Sequence, residues 1–201
     1  MNPIVRISII IGLLAVIIFS LYALLLNSED NSYADELQTE RAEKDIWLSN
    51  DFSSPFNVTN TPFKRLNYFE PDIKYRVNAK LIRAVTDERL TLITNTGENQ
   101  EYIIFGSAIF QMEGKDCLLK LLKAEESDQL FLPFMDKTSG NETYGAGRYL
   151  DLDIPVKDEI ILDFNKAYNP YCAYTEIYSC PFPPKSNVID IAIRAGEKSY
   201  D

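Results

Sequence analysis

The 201-residue sequence contains no histidine. That absence removes Ser-His and Cys-His nucleophile pairs and every imidazole metal ligand. No serine is followed by lysine three residues on, so a Ser-Lys site of the S-x-x-K kind is excluded as well. Any acid–base chemistry falls to carboxylates, lysine, tyrosine or cysteine. Positive charge is in deficit, with 20 basic against 30 acidic residues. All 30 acidic residues and 19 of the basic ones follow Leu26, which leaves that part 11 charges negative. Such a field repels nucleic acid and anionic headgroups, so nucleic-acid binding is excluded as a reading.

What is present is first a long apolar run. Residues 7–26 read ISIIIGLLAVIIFSLYALLL, twenty residues without a charge. As a helix they would span about 30 Å, the thickness of a bilayer core. Arg6 precedes the run, and Glu29 and Asp30 follow it. The positive-inside rule then puts the N-terminus in the cytoplasm and the rest outside, periplasmic or at the cell surface. A cleaved signal peptide fits less well, because the run is long and no A-x-A site follows. The expected organisation is a signal-anchor transmembrane helix over 1–26, a polar helical linker over 27–50 and an extracytoplasmic domain over 51–201.

Ser32 can cap a helix running from about Tyr33 to Leu48, with Leu37, Arg41, Lys44 and Leu48 on one face. Trp47 would dock its end. Residues 49–72 are loop-like, and their aromatics Phe52, Phe56, Phe63, Tyr68 and Phe69 are expected to pack on the domain.

From Tyr75 the period changes to two. Tyr75, Val77, Ala79 and Leu81 alternate with polar residues. RLTLIT and EYIIFGSAIFQM flank NTGENQ, a hairpin signal, and Glu113-Gly114 marks the next turn. DCLLKLLKA, QLFLPF, RYLDLDI, EIILDF and VIDIAIRA complete the set. The expected fold is mainly β: an antiparallel barrel or sandwich of about eight short strands, preceded by the transmembrane helix and the amphipathic helix.

Two irregular segments concentrate polar chemistry. The first is DKTSGNETYGAGRYLDL, residues 136–152. Gly140 and Gly145 have P-loop spacing, but no Lys-Ser or Lys-Thr follows. Gly145 and Gly147 lack the third glycine of a dinucleotide loop, and a strand rather than a helix comes next. Asp136, Thr138 and Glu142 do not have the spacing of an EF-hand and read as turn chemistry. Arg148 can hold a carboxylate of a ligand, or tie Asp136, Glu142 or Asp163 internally. The second segment, residues 162–187, carries Asp163, Asn165, Asn169, four tyrosines, four prolines and two cysteines. Cys172 and Cys180 lie close enough for a loop disulfide, and their spacing is not that of a zinc pair. Cys117 shares strand parity with Leu119 and Leu121 and is expected in the core.

The strings PFMDKTSGNETYGAGRYLDL, LDFNKAYNPYCAY, CPFPPKSN and AGEK, together with RLNYFEPDIKYRV, resemble in order and wording the bacterial and archaeal family called domain of unknown function 1684. The resemblance runs from about Glu40 to the end. It falls on Asp136, Thr138, Gly140, Thr143, Tyr144, Gly145, Gly147, Arg148 and Tyr149. It continues on Asp163, Asn165, Tyr168, Asn169, Cys172, Cys180, Asn187, Glu197 and Lys198. It implies no activity. Family members without an obvious membrane segment keep both cysteines, which implies that a disulfide is not obligatory.

Three functions follow from these readings. The first is binding of a small polar ligand such as a sugar by the two irregular loops, through Arg148, Tyr149, Asn165, Asn169 and Tyr144. The second is a hydrolase or lyase with carboxylates from Asp136, Glu142, Asp163 and Glu197 as acid and base. It requires two of them to face one pocket. The third is a structural accessory of the cell envelope. The expected partners are the membrane, through the N-terminal helix, and the ligand; no metal and no cofactor is assigned. The glycines of residues 136–152 are expected to turn the chain so that Arg148 and Asp136 face the 163–187 loop.

Overall fold

The computed structural model describes the backbone of residues 3–200 and the side chains of residues 11–14, 16–21 and 31–200. It has two compact units, Met1–Arg41 and Ala42–Asp201.

A single helix, α1, spans Pro3–Asn50. The expected separation into two helices is therefore corrected. No proline or glycine lies between Leu26 and Asn50, so nothing interrupts the backbone ladder there. Among the described residues no helix is long and apolar enough to cross a membrane. The expected span, residues 7–26, falls in part on side chains outside the described ones.

In the second unit, Leu48 at the end of α1 is buried with Phe56, Leu66 and Tyr174. Trp47, Phe63, Tyr68 and Tyr200 pack around that cluster. A short helix, α2 (Pro55–Val58), holds Phe56 there. Its start is set by Pro55 and by the Ser54 hydroxyl, which accepts from the Asn57 N–H. Phe52 is the exception to the expected packing: it is 88% exposed, in the turn between α1 and α2.

Seven strands are described: β1 (Arg76–Arg83), β2 (Arg89–Ile93), β3 (Asn99–Met112), β4 (Lys115–Lys123), β5 (Gln129–Phe134), β6 (Arg148–Asp153) and β7 (Glu159–Asp163). They form one antiparallel sheet in the order β6-β5-β4-β3-β1-β7, with β2 also on β3. β3 is long enough to serve β2 with its first half and β1 with its second. The register shifts between Ile104 and Gly106. A side chain at 106 would meet the Ile82 carbonyl oxygen at 2.4 Å, so glycine permits this close crossing. The sheet edges meet through Tyr149 on β6 and Tyr168 just beyond β7, which exchange backbone hydrogen bonds of 2.9 and 3.0 Å. The sheet is thus a nearly closed barrel.

Side-chain alternation fills it. Tyr75, Ala79, Leu81, Ala108, Phe110, Leu119, Leu121, Leu130, Leu132, Phe134, Leu150 and Leu162 form the core. Cys117 joins them, as its parity predicts. Glu113-Gly114, both at positive φ, turns β3 into β4.

The eighth expected strand, VIDIAIRA, is not one. Ile189, Ile191, Ile193 and Ala195 are buried in alternation, so the period is right. The segment lacks a ladder partner over most of its length. Its backbone groups are met by isolated bonds to Met135 and Lys137 and by side chains, which hold it extended along the barrel without making it a strand.

Candidate functional site

The polar family-like residues assemble first around this C-terminal segment. Arg148 is 1% exposed. Its guanidinium donates to the carbonyl oxygens of Ile193 at 2.9 Å, Glu197 at 3.2 Å and Ala195. Asp136 lies 3.5 Å away, and its carboxylate accepts from the Ile193 N–H at 2.6 Å and from the Thr138 hydroxyl at 2.7 Å. Burial lowers the proton affinity of Arg148 from its ordinary value, and Asp136 and Glu197 oppose that shift. Arg148 is an internal tie. It and Asp136 face residues 193–197, not the 163–187 loop as expected.

The chain reaches this arrangement through a self-bonded turn. The Thr138 carbonyl accepts from the N–H groups of Asn141, Glu142 and Thr143. Gly147 sits at φ +94°, and a Cβ there would meet the Phe134 carbonyl oxygen at 2.5 Å. Only glycine permits that approach of β6 to β5.

Glu197 is buried and fully used. It accepts from Lys44 Nζ at 2.6 Å, the Tyr174 hydroxyl at 2.5 Å and the Asn169 N–H at 2.9 Å. Tyr174 is pushed well up, first by burial and then by this carboxylate. Asn169 also donates to the Lys198 carbonyl. Asp163 caps the turn Phe164–Lys166, and Asn165 holds both peptide groups of Asp72. Glu142 is held by Arg194 at 3.0 Å. The four candidate carboxylates thus stand in separate internal contacts, and none of them lines the cavity described next.

A cavity lies elsewhere, on the face of the sheet opposite the core. It measures about 580 Å³. Tyr102, Phe131 and Tyr149 form its floor, and Tyr168, Tyr171 and Tyr178 its walls. Outward parity puts the floor there: Leu130 and Leu132 point into the core, so Phe131 between them does not. Phe131 and Asp151 are register partners on β5 and β6. The rings touch in sequence, Tyr102 on Phe131 at 5.4 Å, Phe131 on Tyr149 at 4.7 Å and Tyr149 on Tyr168 at 5.9 Å. Each such pair adds about 0.5–1.5 kcal/mol beyond burial.

The polar groups of the cavity are few. The Tyr168 hydroxyl donates to Asp151 at 2.7 Å, and the Tyr149 hydroxyl to the Pro181 carbonyl at 2.6 Å. Lys44 Nζ lies 4.8 Å over the Tyr168 ring while paired with Glu197. Burial raises the Tyr149 and Tyr168 phenols far above their ordinary value, so both remain hydrogen-bond donors. Of the residues expected to bind ligand, Tyr149 alone lines this cavity. Arg148, Asn165 and Asn169 donate to backbone carbonyls instead, and Tyr144 contacts the Cys172 sulfur at 3.8 Å. For Phe131 and Tyr149 the sequence signal was available, as off-parity aromatics of β5 and β6, whereas Tyr102 shares the parity of the core residues Ala108 and Phe110 and reaches the outer face through the register shift between Ile104 and Gly106. No sequence signal brings Lys44 beside Tyr168.

Cys172 and Cys180 are adjacent free thiols, with the Cys172 N–H donating to the Cys180 sulfur at 3.3 Å. Among the described residues no cluster of three or more acidic or cysteine side chains is placed to hold a metal ion.

Residues 61–198 match the family described as protein of unknown function (DUF1684). The chain belongs to this family. A similar fold is seen in the solution NMR structure of the uncharacterized protein from gene locus rrnAC0354 of Haloarcula marismortui. That protein is 38% identical, with a TM-score of 0.65 over 85% of this chain and 96% of its own. No curated protein matches the sequence. Among the residues that carry the DUF1684 resemblance, Asp136, Thr138, Arg148, Asn169 and Glu197 stand in the buried Arg148 and Glu197 networks. Their wording encodes how the C-terminal segment is fastened, with Tyr149 and Tyr168 reaching the cavity as well.

Proposed function

We propose that this DUF1684 protein is a membrane-anchored, extracytoplasmic binding domain for a small polar ligand with a flat apolar face, of the saccharide kind. One observation carries the reading: six aromatic rings line a cavity of about 580 Å³ that also holds Asp151 and Lys44. That volume suits a small ligand, and few polar groups among aromatic faces suit a molecule that stacks and hydrogen-bonds at once. Asp151 is an acceptor for ligand hydroxyls, and its Tyr168 partner holds it in place. The charge-free run of residues 7–26, preceded by Arg6, supports the anchor and its orientation. The acid–base reading has less support, because its four carboxylates are engaged in separate internal contacts.

A thermal-shift screen of the full chain in detergent micelles against mono- and disaccharides and polar metabolites tests the site. Binders are expected to raise Tm in the wild type. Tyr178→Ala and Asp151→Asn should lose that shift while keeping a wild-type circular dichroism spectrum. A screen without binders, or shifts that survive both substitutions, would remove the reading. Protease protection in intact cells tests the anchor: the C-terminal domain should be cleaved from outside.

A further inference from the structure

The region beside the cavity holds a second feature that the binding reading does not use. Cys172 lies in the single turn Tyr171–Ala173, and Cys180 follows eight residues later. Cys180 is fastened on both sides: its N–H donates to the Asn95 side chain at 2.7 Å, and its carbonyl accepts from the Asn95 N–H at 3.1 Å. Cys172 is half-buried, whereas Cys180 is buried at the cavity wall. The Tyr144 hydroxyl contacts the Cys172 sulfur at 3.8 Å, and the Cys172 N–H reaches the Cys180 sulfur. This is an arrangement of one reachable sulfur, one sheltered sulfur and a hydroxyl donor.

We propose that Cys172 and Cys180 are a redox-active dithiol, with Cys172 the attacking sulfur and Cys180 the resolving one. The oxidant is a small-molecule disulfide. The Cys172 thiolate attacks one of its sulfurs, forming a mixed disulfide and expelling one thiolate. Cys180 then loses its proton to solvent and attacks the Cys172 sulfur, and the second small thiol leaves. Two protein thiols and one disulfide become one protein disulfide and two small thiols, so electrons and protons balance. The proximity of Cys180 and the Tyr144 hydroxyl lowers the Cys172 thiol to about 7, against burial, while Cys180 is held high by Cys172 and by burial. That asymmetry assigns the order of attack. Cys117 is the internal control, buried in the core and raised by burial. The product bond would join the turn bearing Tyr171 to the strand-like segment bearing Pro181, two sides of the cavity wall.

The test is incubation of the reduced full chain, in micelles, with glutathione disulfide, followed by intact mass and peptide mapping. The wild type should lose two hydrogens and yield a peptide cross-linked between 172 and 180. Cys180→Ala should stop at a glutathione adduct on Cys172, and Cys172→Ala should leave the remaining thiols unmodified over the same time. The first step should rise with pH through about 7 in the wild type. Loss of Cys180 should slow it at neutral pH by roughly fivefold, as thiolate is lost and nucleophilicity partly compensates. Persistent free thiols in the wild type, or first attack by Cys180 or Cys117, would overturn the assignment. The wild-type mapping and pH profile decide the matter even if a variant fails to fold. The outcome is independent of whether any ligand occupies the cavity.

Discussion

The peptide unit around Ile193 is gripped by a side-chain ion pair: Arg148 donates to its carbonyl at 2.9 Å, and Asp136 accepts from its N–H at 2.6 Å. A segment without a ladder is thereby pinned to the barrel. Replacing Arg148 by methionine leaves Asp136 without its buried cation and three carbonyls without their donor. The expected loss of stability is about 3–5 kcal/mol. Arg148→Lys should recover little of it, because one ammonium cannot reproduce the fork. Urea unfolding followed by circular dichroism checks both variants. A stable Arg148→Met protein would show that the tie is dispensable.

Gly147 and Gly97 separate strain from collision. Both have positive φ, but a Cβ at 97 meets open space whereas one at 147 meets the Phe134 carbonyl at 2.5 Å. Gly97→Ala should cost about 1 kcal/mol, the strain of a left-handed alanine. Gly147→Ala should cost clearly more, since β5 and β6 must also move apart. Equal melting temperatures for the two variants would contradict this ordering.

Asn187 spans three backbone groups. Its side chain accepts from the Lys120 N–H and donates to the carbonyls of Lys120 and Pro133. Asn187→Ala should destabilise the domain by about 1–3 kcal/mol for the groups left unsatisfied. Hydrogen exchange at the Lys120 amide should accelerate relative to its β4 neighbours, which locates the effect.

The thiol pair predicts a stability optimum in pH for the reduced protein. The Cys172 thiol is lowered in the folded state to about 7 from an ordinary 9.0. Its contribution is therefore complete above about pH 9 and is lost as pH falls through about 7. Cys180 is raised, so its contribution is present below about pH 9 and is lost as pH rises further. Melting temperature should climb between pH 7 and 9 relative to Cys172→Ala and fall above that range relative to Cys180→Ala. Parallel curves for wild type and both variants would show that the pair does not titrate differently on folding.

Much of the barrel was legible because its strands obey a two-residue period. Ala79 and Leu81, Leu119 and Leu121, and Leu130 and Leu132 are all buried. VIDIAIRA obeys the same period and is no strand, since periodicity reports which side is buried and not what the backbone is bonded to. For the same reason Arg148 looked fit for a ligand as well as for the internal tie that the sequence favoured. Both need a guanidinium beside glycines, and the difference lies in carbonyls some 45 residues away.

The sequence by itself determined the charge-free N-terminal run, the mainly β character, the turn chemistry at 113–114 and 136–147, and family membership. These depend on residues near one another in the chain. The tertiary structure alone decided that the polar signature is mostly buried fastening, that the cavity lies on the outward aromatic face, and that Lys44 pairs with Glu197. Those are contacts between residues distant in sequence, and the closure of the sheet, which no local pattern encodes, brings them together.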